Sequence, residues 1–164
     1  MLRNLCYRIY SDDALSTKWQ EIVRHIRELF GVELFDPELH ETTSEITMQY
    51  QEANDRVFDL SCSGRGLQQT LLLLAHLYAN PHSVLLLDEP DAHLEILRQR
   101  QTFNLISDVA QSQNSQVVAA SHSEVVLNEA ATRGTVVAFV GQPHSLNACG
   151  QRTKSRTTSV RKRR

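Results

Sequence analysis

Ser83-Val84-Leu85-Leu86-Leu87-Asp88-Glu89-Pro90 is an apolar run that ends in two adjacent carboxylates. Such a run suits a parallel strand buried on both faces. Charges at the end of a buried strand are costly to desolvate, so they need a compensating partner. A phosphate-bound Mg²⁺ would supply one. The first carboxylate would order the metal and its waters, and the second would take a proton from an attacking water. Two solvated acids opening a loop are the plainer alternative.

The flanking sequence bears on that choice. Upstream, Leu60-Ser61-Cys62-Ser63-Gly64-Arg65-Gly66-Leu67-Gln68-Gln69 leads into a helix with Leu67, Leu71, Leu74, Ala75 and Tyr78 on one face. The helix opens on Ser63-Gly64-x-Gly66. Bare N–H groups and a small hydroxyl at a helix N-terminus can hold an anion, and glycines let a phosphate reach the main chain. An ordinary serine cap with turn glycines is the other reading. Downstream, Gln116-Val-Val-Ala-Ala120 reads as a second buried strand, followed by Ser121-His122-Ser123. The carboxyl edge of a parallel sheet is where ligands bind in open α/β folds.

In this order the three elements resemble the C-terminal half of an ABC-class ATPase head. The wording is closest to the OLD-like (overcoming lysogenisation defect) AAA/ABC ATPases of bacteria and phages. Ser63-Gly64-Arg65-Gly66 with Gln69 resembles the signature motif, Leu85 to Glu89 resembles Walker B, Asp91 to Glu95 the D-loop, and His122 the switch histidine. The resemblance runs from about Phe58 to His144. It implies an α/β fold: a partial P-loop NTPase with a mainly parallel sheet and flanking helices, preceded by a small mixed α+β segment.

The resemblance also implies roles. Asp88 would hold Mg²⁺ through water, Glu89 would polarise the attacking water, and His122 would contact the γ-phosphate of ATP. Ser63, Gly64 and Gly66, with Gln69 and Glu95, would meet a nucleotide held on the P-loop of a partner head. ATP would then be a dimerising ligand. Glu95 stands where the D-loop ordinarily has aspartate, one methylene shorter. Many OLD-like proteins carry a Toprim nuclease domain, so DNA enters as a partner through the family only.

A P-loop, G-x-x-x-x-G-K-[ST], is absent from these 164 residues. The three lysines are Lys18, Lys154 and Lys162, and none follows a glycine. The chain therefore reads as a truncated or split ATPase. Its partner would be another ATPase head or a P-loop-bearing polypeptide, with a homodimer among the arrangements. A non-catalytic remnant or interaction module that pairs with an intact ATPase is the second reading.

Hydrophobic residues make up 41% of the chain, enough for one modest core. No apolar run reaches the roughly 18–20 residues that span a bilayer. Cys6, Cys62 and Cys149 have no CxxC spacing and read as reduced thiols of a cytoplasmic protein. His76, His82 and His93 do not share a face and suggest no zinc site.

Three regions follow: a mixed segment over 1–60, the half-head over 61–146, and a basic tail over 147–164. Residues 151–164 hold seven of the 17 basic groups and none of the 19 acidic ones, leaving the rest of the chain acidic by nine charges. The tail lacks periodicity and reads as disordered, either a nucleic-acid arm or merely a flexible terminus. In the first region, Ser11-Asp12-Asp13 reads as a cap. Leu15, Trp19, Ile22, Val23, Ile26, Leu29 and Phe30 mark a helix that stops at Gly31. Short strands are expected over 32–35, 45–50 and 56–60. After Glu89, Leu94, Leu97, Leu105 and Val109 mark a helix returning to the sheet. A short helix over 123–131 then leads to a third parallel strand over 135–140.

Overall fold

The computed structural model describes residues 1–140 and the strand 145–149. Helices α1 (Leu2–Ser11) and α2 (Ser16–Phe30) pack on α3 (Arg65–Ala79). On α2, Trp19, Ile22 and Ile26 fall at helical spacing and are fully buried. Gly31 closes the helix at φ 68°, and its N–H bonds to Arg27 O; this left-handed cap favours glycine. Asp12 does not cap α2, whose N-cap is Leu15. It stands instead at the C-terminus of α1, a helix not anticipated from the sequence, although Leu2, Leu5, Cys6 and Ile9 lie at helical spacing.

The short strands β1 (Glu33–Leu34), β4 (Gln49–Gln51) and β5 (Val57–Asp59) form an antiparallel sheet in the order β1-β4-β5. A separate hairpin pairs β2 (Glu38–His40) with β3 (Glu45–Thr47). The segment expected as one strand over 45–50 is thus two strands in two sheets, broken at Met48. Met48 is buried, and its carbonyl accepts from Leu60 N–H at 2.8 Å.

From Leu60–Cys62, a 3₁₀ turn, the chain enters α3. All five positions read as its apolar face are buried. Thr70, Leu73 and Leu77 are buried as well, so α3 is covered on most sides and forms the centre of the core.

Strands β6 (Val84–Asp88) and β7 (Gln116–Ala120) pair in parallel, Val84 opposite Gln116 and Asp88 opposite Ala120. Helix α4 (Ile96–Ser112) is the crossover, and α5 (Glu124–Arg133) packs beside it. The expectation that these strands are buried on both faces is not met. Leu85, Leu87 and Val117 pack against the core, whereas Val84, Leu86 and Val118 are exposed. Alternation puts these two sets on opposite faces, and among the described residues nothing covers the outer one. Leu97 on α4, expected to face the core, is 81% exposed; Thr102, Ile106, Val109 and Ala110 are the buried positions.

A further correction concerns the third parallel strand. Strand β8 (Val136–Val140) forms where expected but pairs antiparallel with β9 (Ser145–Cys149), not with β7. The connection is short, and short connections favour antiparallel neighbours over a crossover. Asn147, Ala148 and Cys149, read as the start of a disordered tail, belong to β9. The basic stretch 151–164 lies outside the described residues. No helix among the described residues is long and apolar enough to cross a membrane.

Candidate functional site

Parallel pairing of β6 and β7 fixes the first cluster. Asp88 lies opposite Ala120, so the pair Asp88-Glu89 and the following Ser121-His122 leave the sheet at the same edge. Glu89 N–H donates to Ala120 O at 2.8 Å, which carries the pairing past the end of β6. The Glu89 backbone then takes φ 45°, in the left-handed region that a non-glycine residue rarely occupies. Its carboxylate Oε1 stands 3.6 Å from Nε2 of His122. The His122 side chain is 94% exposed and the Glu89 side chain about half exposed, so both can reach a ligand beyond the sheet edge.

Ser63 and Gly64 define a second cluster. Gly64 is the N-cap of α3, and no side chain caps the helix. The first turn keeps its partial positive charge, as an anion site needs. A Cβ on Gly64 would meet nothing within 4 Å, so this glycine faces open space. The Ser63 hydroxyl donates to Leu60 O at 2.7 Å, which orients its lone pairs.

Gly66 has a different reason to be glycine. A Cβ there would sit 2.7 Å from Leu94 Cδ2 and 2.8 Å from the His93 carbonyl oxygen. It is buried, and it admits the 93–94 segment against α3. Gln69 likewise points inward, its side-chain amide donating to Pro90 O at 3.0 Å. Of the residues assigned to nucleotide contact, Gly66 and Gln69 therefore tie α3 to the segment after Glu89, and Gly66 also lines the cleft that holds Ser63 and Gly64. Glu95 is the N-cap of α4 without a side-chain capping bond, 86% exposed, with Arg98 Nε 3.9 Å away.

Ser63, Gly64, His93 and Glu95 line one shallow cleft together with Phe30, Val32 and Leu67. Arg98 forms its wall, stacked over the Phe30 ring at 4.9 Å and donating to Leu29 O at 2.8 Å. The Ser63-Gly64 entry to α3 and the 93–95 segment thus share one surface, and Asp88, Glu89 and His122 share another. No group of three or more His, Cys, Asp or Glu among the described residues is arranged to hold a metal ion by itself. Asp88 can hold one only with waters and a phosphate as further ligands, which is how Mg²⁺ is ordinarily bound.

Residues 9–128 match the family described as "AAA domain, putative AbiEii toxin, Type IV TA system". The chain belongs to this AAA-domain family. Its fold is α/β and P-loop NTPase-like. Its curated relatives are ATP-binding proteins of ABC type. It is 32% identical over 77 residues to the oligopeptide transport ATP-binding protein AppD of Bacillus subtilis, a match covering 47% of this chain and 23% of that protein. Over 57 residues it is 40% identical to the molybdate import ATP-binding protein MolC of Haemophilus influenzae, covering 35% and 22%. The matched stretches thus span less than a quarter of those relatives' length.

Among solved structures the AAA domain is similar to a chain from work on ATP-driven dimerization and DNA-stimulated activation of SMC ATPases. That match has TM-score 0.57 and 17% identity, and covers 84% of this chain and 87% of that one. The Smc head domain of Pyrococcus yayanosii, with a coiled coil and joint, matches at TM-score 0.62 and 15% identity, covering 83% and 27%. These similarities bear on the fold.

Proposed function

We propose that this domain supplies one half of a composite ATPase site. Asp88, Glu89 and His122 would act on Mg²⁺-ATP held by a P-loop-bearing lobe that is not among these 164 residues. Ser63 and Gly64 would meet the nucleotide of an opposing head. The observation that carries the reading is the outer face of β6 and β7. Val84, Leu86 and Val118 are exposed on the strands that deliver the catalytic candidates. An apolar face of this kind is a docking surface for more sheet and helix.

Each residue has a physical task in this reading. Asp88 would orient Mg²⁺ through its waters. Glu89, 3.6 Å from His122, would accept a proton from the attacking water. His122 would donate a hydrogen bond to the γ-phosphate. The open N-terminus of α3 would stabilise charge on the γ-phosphate from the opposite side. The chemistry supplied by bound Mg²⁺ is neutralisation of phosphate charge.

The test is phosphate release from Mg²⁺-ATP, first by the chain alone and then with a P-loop-bearing lobe of the same family supplied separately. No turnover is expected alone, because the lysine and amides that cradle the phosphates are missing. Turnover is expected in the mixture and should disappear in Glu89→Gln. A folded complex that binds ATP without turnover would instead identify a non-catalytic module. Glu89-dependent turnover by the chain alone would overturn the composite site.

A further inference from the structure

The segment after β7 and the segment after Glu89 are tied by a closed circuit of side-chain hydrogen bonds. The Ser121 hydroxyl donates to Asp91 Oδ1 at 2.7 Å and accepts from Ser123 N–H at 3.0 Å. The Ser123 hydroxyl donates to Gln99 Oε1 at 2.8 Å and accepts from Val126 N–H at 3.4 Å. The Gln99 amide group then returns to the first segment, donating to Leu94 O at 3.0 Å and Asp91 O at 3.4 Å. Asp91 is the one carboxylate among the described residues that is buried. Ser121 gives it a hydrogen-bond partner, as a buried carboxylate requires.

His122 sits between the two serines of this circuit. Its own ring is 94% exposed, with Glu89 Oε1 3.6 Å from Nε2. The stretch 121–123 is neither helix nor strand, so regular backbone structure does not aim the ring. The neighbours on both sides are fixed, while the ring is free to meet a ligand.

We infer that Asp91, Ser121, Ser123 and Gln99 are positioning residues that lock the switch loop to the D-loop, so that the direction of His122 depends on where the D-loop stands. The purpose of this coupling rests on the ATPase reading above. The D-loop lines the cleft that contains Ser63 and Gly64. A partner seated in that cleft would shift Asp91 to Glu95, and the circuit would pass the displacement to His122 at the sheet edge. A bond network with two anchored ends transmits such a shift because neither serine can move without breaking a bond to a buried or half-buried partner.

The experiment uses the full chain without nucleotide, so it stands apart from the phosphate-release assay. Histidine ring resonances are recorded by NMR, and amide exchange is followed at Ala92 and Leu94, whose N–H groups bond to Glu89 O and Asp91 O. Gln99→Ala is expected to move the His122 ring signals, although Gln99 bonds to Ser123 and not to the ring. Ser121→Ala is expected to speed exchange at Ala92 and Leu94 about tenfold, the loss typical of a hydrogen bond to a charged acceptor. Ser121→Thr, which keeps the hydroxyl, should return exchange at Ala92 and Leu94 to the parent rate. Val109→Ala, a core change at the far end of α4, should lower stability without moving either. Should Ser121→Ala not fold, Ser123→Ala cuts the same circuit at its next bond. Unmoved His122 signals in folded Gln99→Ala, unchanged D-loop exchange in the folded serine variant, or the same changes in Val109→Ala would each overturn the coupling.

Discussion

Replacing Gly66 with alanine pits two well-characterised effects against each other. Gly66 is the second residue of α3. Inside a helix, alanine gains up to about 1 kcal/mol over glycine, and less in the first turn. Against this stands the new methyl group, 2.7 Å from Leu94 Cδ2 and 2.8 Å from the His93 carbonyl. Leu94 can rotate, but the carbonyl belongs to the backbone, and the 93–94 segment must move to admit the methyl. Overpacking of this kind ordinarily costs about 1–3 kcal/mol. The clash wins, with a net loss of about 1–2 kcal/mol, read as a fall in Tm of about 3–6 °C for a domain of this size. Thermal unfolding followed by circular dichroism measures it. Gly64→Ala, with nothing within 4 Å, is the control and should cost under about 1 kcal/mol. Adding Leu94→Ala to Gly66→Ala should relieve only part of the clash, because the His93 carbonyl remains. A Gly66→Ala protein as stable as the parent would refute the reasoning and show that the D-loop yields freely.

Three further outcomes are expected. Leu86→Lys, at a side chain 73% exposed, should change the stability of this chain by less than about 0.5 kcal/mol while reducing its self-association in light scattering. His25 is held below its ordinary value of about 6.5 by burial first and by Arg24 second, so the unfolded chain binds the proton more readily. Its contribution is therefore complete above the unfolded value and is lost as pH falls from there through the folded value. Urea denaturation of His25→Asn should show a flatter slope of stability across that window. In a Cys149→Ser background, a thiol reagent should label exposed Cys62 at once. Cys6, buried and with its thiol pushed up to about 12, should react only on unfolding.

The parts of the site legible in the sequence were those with a local signature. The apolar run before Asp88 and the serine-glycine entry to α3 placed the two clusters, and parallel pairing brought His122 to the carboxylates. The roles of Gly66 and Gln69 were not legible. Both carry motif identities that suggest phosphate contact, yet one admits Leu94 and the other holds Pro90. Tertiary approach of this sort leaves no periodicity. The bonds that tie Asp91 and Gln99 to the serines around His122 were missed for the same reason, since polar side chains that bond across elements look like solvated ones. The pairing of β8 with β9 was missed because a strand's neighbour is set by the length of its connection and not by its composition. The exposure of Leu86 was hidden too: an apolar strand reads as doubly buried whether or not the covering layer is part of the chain.

The backbone at Glu89 carries a cost that side-chain chemistry alone does not reveal. At φ 45°, glycine or asparagine would rest more comfortably than glutamate, by about 1 kcal/mol or more. Laboratory evolution for heat tolerance alone would therefore drift this position toward Gly or Asn, and each step would erase the carboxylate beside His122. Variants of this domain that survive such a screen would be sturdier and, under the function proposed above, without turnover. The same bias runs through any consensus or stability-guided redesign, so position 89 has to be fixed by hand before either is attempted.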